Sequence, residues 1–330
     1  MPTIAARPAR AGLVLLATAL LALAGCGGGD AGTGSASRPA PAASDFPSAK
    51  GKTLEQALSP AAGPGPVVTP AARVLRLGDN RFSFGVFTTG REPIDDAEVA
   101  IYAAPGRNLS GPAIGPFPAR IEDLTTEPAF EAKTTSEDPN AAKVVYVTDI
   151  PLDKPGPWAF GALIRQDDGS YQGSLLSTPS LVGQFDPVGV GDRAPRVSTP
   201  TADEVSNISQ IDTRVPPDDM HQDDLAEVLG KEPVVLLFAT PALCQSRICG
   251  PVVDVAQQVQ RDFGDKAAFI HMEVYNDNDA SKGLRPQMRA YRLPSEPWLY
   301  VIDRNGVVRT AIEGAFSVDE LTAAVREVTG

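Results

Sequence analysis

Beyond residue 66 the chain breaks into short apolar stretches separated by turn-forming residues. Phe82, Phe84 and Val86 alternate with smaller or polar neighbours, the period-2 pattern of a strand with one buried face. Residues 98–103 and 143–148 are further short apolar runs. Residues 158–165 lead through Asp167-Asp168-Gly169 to Tyr171, the pattern of a hairpin with an Asp-Gly turn. The pattern changes near residue 223. A short helix is predicted over 224–229, closed by Gly230, and the continuous apolar run 233–238 reads as a strand buried on both faces. Cys244 and Cys249 follow in a loop. Val252, Val255, Ala256, Val259 and Phe263 then recur at spacings of three and four, one face of an amphipathic helix with Pro251 in its first turn. Residues 267–274 and 298–302 are two more apolar strands. Between them Leu284, Met288 and Tyr291 suggest a short helix interrupted by Pro286. Asp303-Arg304-Asn305-Gly306 turns the chain into a hairpin strand over 307–310. Ser317 and Glu320 form a capping box for a last helix that buries Val318, Leu321, Val325 and Val328.

Composition divides the rest. Residues 27–66 are rich in Gly, Ala, Ser and Pro, bury too little to offset chain entropy, and read as a disordered tether with at most one helical turn over 53–58. Residues 67–187 hold about seven predicted strands and fit an immunoglobulin-like β-sandwich. That segment has no Cys and no His, so it reads as a spacer or interaction module. Residues 188–217 are a Pro- and Asp-rich connection.

The amino terminus carries Arg7 and Arg10, then an apolar run over 11–24 shorter than the about 20 residues a membrane span needs. It closes on Leu23-Ala24-Gly25-Cys26. This resembles the bacterial lipoprotein signal. The resemblance implies removal of residues 1–25, a lipid on Cys26, a tether over 26–66, and a mature chain on the outer face of the cell membrane. Of the three cysteines, Cys244 and Cys249 are then an isolated pair in a compartment that permits disulfides. A formal net charge of -12, with no Lys/Arg run after the signal, argues against nucleic-acid binding.

The element order after residue 223 is that of the thioredoxin fold. Phe238-Ala239-Thr240, the later Cys249-Gly250-Pro251, and Arg292-Leu293-Pro294-Ser295-Glu296-Pro297-Trp298 resemble the thioredoxin segments around the cysteines and the cis-proline. Gly191-Asp192-Arg193-Ala194-Pro195 resembles the leading segment of TlpA-like thioredoxins. On that resemblance residues 188–330 form a thioredoxin-like domain, Pro297 is the cis-proline that presents backbone to a substrate, and the activity is thiol–disulfide exchange with exported proteins, without cofactor or metal. The chain departs from the family in its spacing, C-x-x-x-x-C instead of C-x-x-C. Either the loop is widened and Cys244 attacks, or Cys249 keeps the attacking place and Cys244 pairs with it from the preceding loop. The helix start near Pro251 and the charge of Arg247 both favour a thiolate.

A second class of reading is a redox-silent scaffold with a structural disulfide. A third is copper delivery, as in Sco-type proteins, which share the fold and add a His before the third strand. That position here reads Ser295-Glu296-Pro297. His271 is expected as a half-buried strand residue. His221, flanked by Asp218-Asp219 and Asp223-Asp224, is expected in a solvated acidic turn. A peroxidase requires Thr three residues before its cysteine, whereas Thr240 is four before Cys244.

Overall fold

A computed structural model describes residues 1–3, 37–176, 180–244 and 247–330. Residues 4–25 of the predicted signal and Cys26 lie outside them. The first half contains β1 (Ala61–Pro64), β2 (Val67–Pro70), β3 (Gly78–Phe87), β4 (Glu98–Pro105), β5 (Ile114–Pro118), β6 (Arg120–Asp123), β7 (Val144–Leu152), β8 (Gly156–Arg165), β9 (Tyr171–Leu175) and β10 (Ser180–Val182). Two sheets result, in the orders β2-β3-β7-β6 and β1-β9-β8-β4-β5, with β10 also on β8. All pairs are antiparallel except β1 with β9. Between the sheets Phe82, Phe84 and Val86 of β3 meet Ile101 of β4 and Trp158 and Phe160 of β8. The predicted alternation in β3 thus points into a shared core. The Asp-Gly hairpin forms as expected, with Gly169 at φ 80° between β8 and β9.

The expected tether does not extend to residue 66. From residue 37 onward the described chain is packed. Helix α1 (Leu54–Leu58) carries a Thr53/Gln56 capping box. Phe46, Leu54 and Ala57 cover the outer face of β4 and β8, against Ala100, Tyr102, Ala104 and Leu163. Gly161 marks the closest approach, since a Cβ there would lie 2.4 Å from Leu58 Cδ1.

A short helix, α2 (Lys133–Ser136), lies in the β6–β7 connection. The second half adds α3 (Leu225–Val228), β11 (Val234–Phe238), α4 (Cys249–Phe263), β12 (Ala268–Met272), α5 (Pro286–Ala290), β13 (Trp298–Ile302), β14 (Val308–Glu313) and α6 (Val318–Thr329). The sheet order is β12-β11-β13-β14, with β11 and β12 parallel and the other pairs antiparallel. α4 and α6 pack together on one face, while α5 and the residues around Val188 and Ala194 pack on the other. This is the thioredoxin-like arrangement. The leading segment pairs with the β14 edge through Gly191 N–H to Val308 O and Ala194 N–H to Gly306 O. Pro286 starts α5 instead of interrupting it, because its missing N–H has no partner to lose at a first helical position.

The two halves share a core. Val145 and Val147 on the outer face of β7 join Val252, Phe316 and Leu321. Beside them Glu320 accepts from Arg81 at 2.7 Å and Arg120 at 2.9 Å, and Ser317 donates to Glu122 at 2.6 Å.

Candidate active site

The buried strand β11 ends at Phe238 and delivers Ala239 and Thr240 to a short turn over Pro241–Leu243. Cys244 caps that turn. Arg247, with φ 62°, reverses the chain, and α4 begins at Cys249. Cys244 and Cys249 are joined by a disulfide with Cα atoms 5.9 Å apart, inside the range a bridge requires. Four intervening residues therefore do not prevent pairing.

The two sulfurs have different surroundings. Cys244 is part-exposed, and the N–H of Cys249, at the start of α4, points to its Sγ at 3.3 Å. Helix N-terminal N–H groups favour negative charge at that place. Cys249 is 0% exposed and packs beside Val252 and Val253. Its Sγ lies 3.7 Å from Glu296 Oε2. Glu296 also accepts from the Thr240 N–H at 2.9 Å, and it precedes a cis peptide bond to Pro297. Burial pushes the Glu296 carboxyl up to about 7, against the opposing hydrogen bonds from Tyr275 and Thr240. The predicted residues Cys244, Cys249 and Pro297 thus gather at one corner of the sheet.

Glu296 was visible only as part of a motif. A carboxylate directly before the cis-proline, on a segment facing the cysteines, was the available signal. The charge of Arg247 is engaged elsewhere than expected. It pairs with Asp138 at 2.5 Å, on the connection that carries α2. Burial pushes the Asp138 carboxyl up, but the Arg247 guanidinium and the hydrogen bonds from Asn140 together outweigh it and hold the group below its ordinary value. An open groove beside Cys244 runs between that connection and the β11 turn, lined by Lys133, Asp138, Val215 and Leu243. Val215 is 50% and Leu243 37% exposed, an apolar pair next to the outer sulfur.

His221 does not take its expected place, and His271 lies in its expected strand but fully rather than half buried. His221 is 1% exposed, not solvated, because the acidic segment around it folds inward against β12. His271 is fully enclosed in β12, with Nδ1 2.7 Å from Asp218 Oδ2 and Nε2 3.0 Å from Ala239 O. Both of its ring nitrogens are engaged, neither by a sulfur, so it supplies no third ligand to the cysteines. Burial lowers the His271 pKa, but the adjacent Asp218 carboxylate outweighs this and holds it near 10.

No protein-family model matches the chain, and no curated protein matches it. Among solved structures it is similar to a Chlorobium tepidum protein assigned as a thiol:disulfide interchange protein DsbE (18% identity, TM-score 0.32), over 43% of this chain and 99% of that one. It is also similar to a thioredoxin family thiol:disulfide interchange protein from Chlorobium tepidum TLS (17% identity, TM-score 0.30), over 45% of this chain and 100% of that one. A DsbF homologue from Corynebacterium diphtheriae is similar at 17% identity and TM-score 0.30, over 44% of this chain and 94% of that one.

Proposed function

We propose that this chain is a thiol–disulfide oxidoreductase in which Cys244 attacks and Cys249 resolves. One observation carries the reading: the bonded pair sits at a helix start with a helix N–H on the outer sulfur and a high-pKa carboxyl on the inner one. In the reducing direction the Cys244 thiolate attacks a substrate disulfide, forms a mixed disulfide and expels one substrate thiolate. The Cys249 thiol passes its proton to the Glu296 carboxylate. The resulting Cys249 thiolate attacks Cys244 Sγ, closes the bridge and releases the second substrate thiolate. Two electrons move from the pair to the substrate, and the reverse sequence oxidises a dithiol. The Pro297 segment holds the substrate backbone, and the apolar pair Val215 and Leu243 receives its side chains.

In this proposal the substrates are exported proteins, and the chain is held outside the cytoplasm by a lipid on Cys26. The Leu23-Ala24-Gly25-Cys26 sequence supports that placement. Among the described residues no helix is long and apolar enough to cross a membrane. The two-sheet half is read as immunoglobulin-like, on the strength of two largely antiparallel sheets packed over one core. The test is a redox titration of the purified chain together with exchange against a protein disulfide. The proposal expects a potential in the range of known oxidoreductases, and loss of exchange in Cys244→Ser and in Cys249→Ser. A bridge that resists reduction below about -300 mV would make the pair a structural staple and the fold a scaffold.

A further inference from the structure

A second cluster lies behind the cysteines and takes no part in the exchange chemistry. Asp212, Asp218 and His221 come from the segment that leads into α3, and His271 comes from β12. All four are buried, and each presents a ligand atom within 4.8 Å of the others. His221 is 1% exposed, yet neither of its ring nitrogens has a hydrogen-bond partner. Its Nε2 points at two carboxylates, 3.5 Å from Asp212 Oδ2 and 3.4 Å from Asp218 Oδ1. Those separations are long for hydrogen bonds. They match the edge of a tetrahedron whose centre lies about 2.0–2.2 Å from each corner, about 3.3–3.6 Å.

The remaining groups fix the ligands as an outer shell does. Asp212 accepts from the backbone N–H groups of Arg214 at 2.7 Å and Asp218 at 2.8 Å. Asp218 Oδ1 accepts from Met220 N–H at 2.9 Å. A carbonyl oxygen only accepts, so His271 Nε2 carries the hydrogen that it gives to Ala239 O, which leaves Nδ1 as its ligand atom. With the proton between His271 and Asp218 removed, the two buried carboxylates carry a charge of about −2, which a divalent ion offsets. We propose that Asp212, Asp218, His221 and His271 bind one divalent transition-metal ion of the zinc class. Two imidazoles and two carboxylates are borderline ligands that suit Zn2+ and disfavour soft Cu(I). On binding, the proton shared between His271 and Asp218 leaves to solvent and the ion takes its place. The ion clamps the 212–221 segment to β12, next to Ala239 and one residue before the Thr240 N–H that holds Glu296.

The inference does not rest on the redox reading, and the test separates the two. The full chain, stripped with a chelator and kept oxidised so that its bridged sulfurs are unavailable as ligands, is titrated with Zn2+ by calorimetry and with Co2+ by absorption. The expected result is one ion per chain and a tetrahedral Co2+ spectrum in the visible, without a thiolate-to-cobalt band. A cysteine-free chain (Cys26→Ser, Cys244→Ser, Cys249→Ser) should bind equally. His221→Asn should lose more than about 100-fold in affinity, beyond the usual cost of losing an outer-shell partner. No uptake by the oxidised wild-type chain would overturn the site, independently of whether any variant folds. So would a thiolate band, or His221→Asn binding within about tenfold of wild type.

Discussion

Glu296 and Cys249 lie close enough for a coupling that can be measured. With Cys26→Ser and Cys244→Ser in place, Cys249 is the only thiol left, and thiolate absorbance against pH reports its ionisation. The Glu296 oxygen lies 3.7 Å from Cys249 Sγ. Two unit charges at that separation repel by about 4.5 kcal/mol at an effective dielectric of 20, and by about 1.1 kcal/mol in water. Glu296 is part-buried, so the true value lies between these limits. Divided by 1.36 kcal/mol per unit, the repulsion raises the Cys249 thiol by about 1–3 pKa units once the carboxylate has formed. Glu296→Gln keeps an acceptor for the Thr240 N–H and removes the charge. The Cys249 titration should therefore move down by about 1–3 units in that variant, and the wild-type curve should show a first step near the carboxyl value of about 7. In a chain that keeps both Cys244 and Cys249, Glu296→Gln should slow exchange near neutral pH, because the proposed proton acceptor is gone. Superimposable thiolate titrations with and without Glu296 would refute both the contact and its assigned role.

Four further outcomes follow from the same structure. The raised Glu296 carboxyl means that the folded state holds this proton more tightly than the unfolded state does. Its contribution is complete below the unfolded value of about 4.5 and is lost as pH rises through about 7, so the urea midpoints of wild type and Glu296→Gln should differ by a constant offset below about 4.5, and the wild type should fall relative to the variant across that window. Arg214 and Asp254 form an ion pair at 2.9 Å with side chains 3% and 2% exposed; Arg214→Met should cost about 3–5 kcal/mol by denaturant unfolding, and Arg214→Met with Asp254→Leu should recover much of it. Leu54 is 0% exposed under the β4–β8 face, so Leu54→Ala should cost about 2–5 kcal/mol, whereas a loose tether would lose nothing. Leu243→Glu with Val215→Glu should slow exchange with a protein disulfide and leave exchange with a small dithiol unchanged; equal loss with both would remove the groove from substrate binding.

The thioredoxin-like half was largely legible because its signals are local. Continuous apolar runs became β11, β12 and β13, spacings of three and four became α4, and the Ser317/Glu320 box opened α6. What was not legible depends on long-range covering. Residues 37–66 look too small and polar to fold alone, and they do not fold alone: they cover a face of β4 and β8 formed by Ala100, Tyr102, Ala104 and Leu163. The apolar character of both faces of β4, with Ala100, Tyr102 and Ala104 outward and Val99, Ile101 and Ala103 inward, was the one local sign that something must cover it. His221 was misplaced for a similar reason. An acidic run is ordinarily solvated, and only the path of the 212–221 segment back over β12 takes it inside.

The unusual cysteine spacing becomes intelligible at the same level. In a helix that starts at Cys249, a partner three residues further on would fall at Val252, which is fully buried in the core shared with the first half. A second sulfur there would face apolar side chains instead of a substrate. Placing the partner five residues earlier, in the turn after β11, puts it in front of the helix start instead of within it. The outer sulfur then receives the Cys249 N–H, while the inner one is left with Glu296. The widened loop thus places the helix-start N–H and the Glu296 carboxyl on different sulfurs, which in the proposed mechanism favours Cys244 as the attacking atom without help from Arg247, whose charge is paired with Asp138.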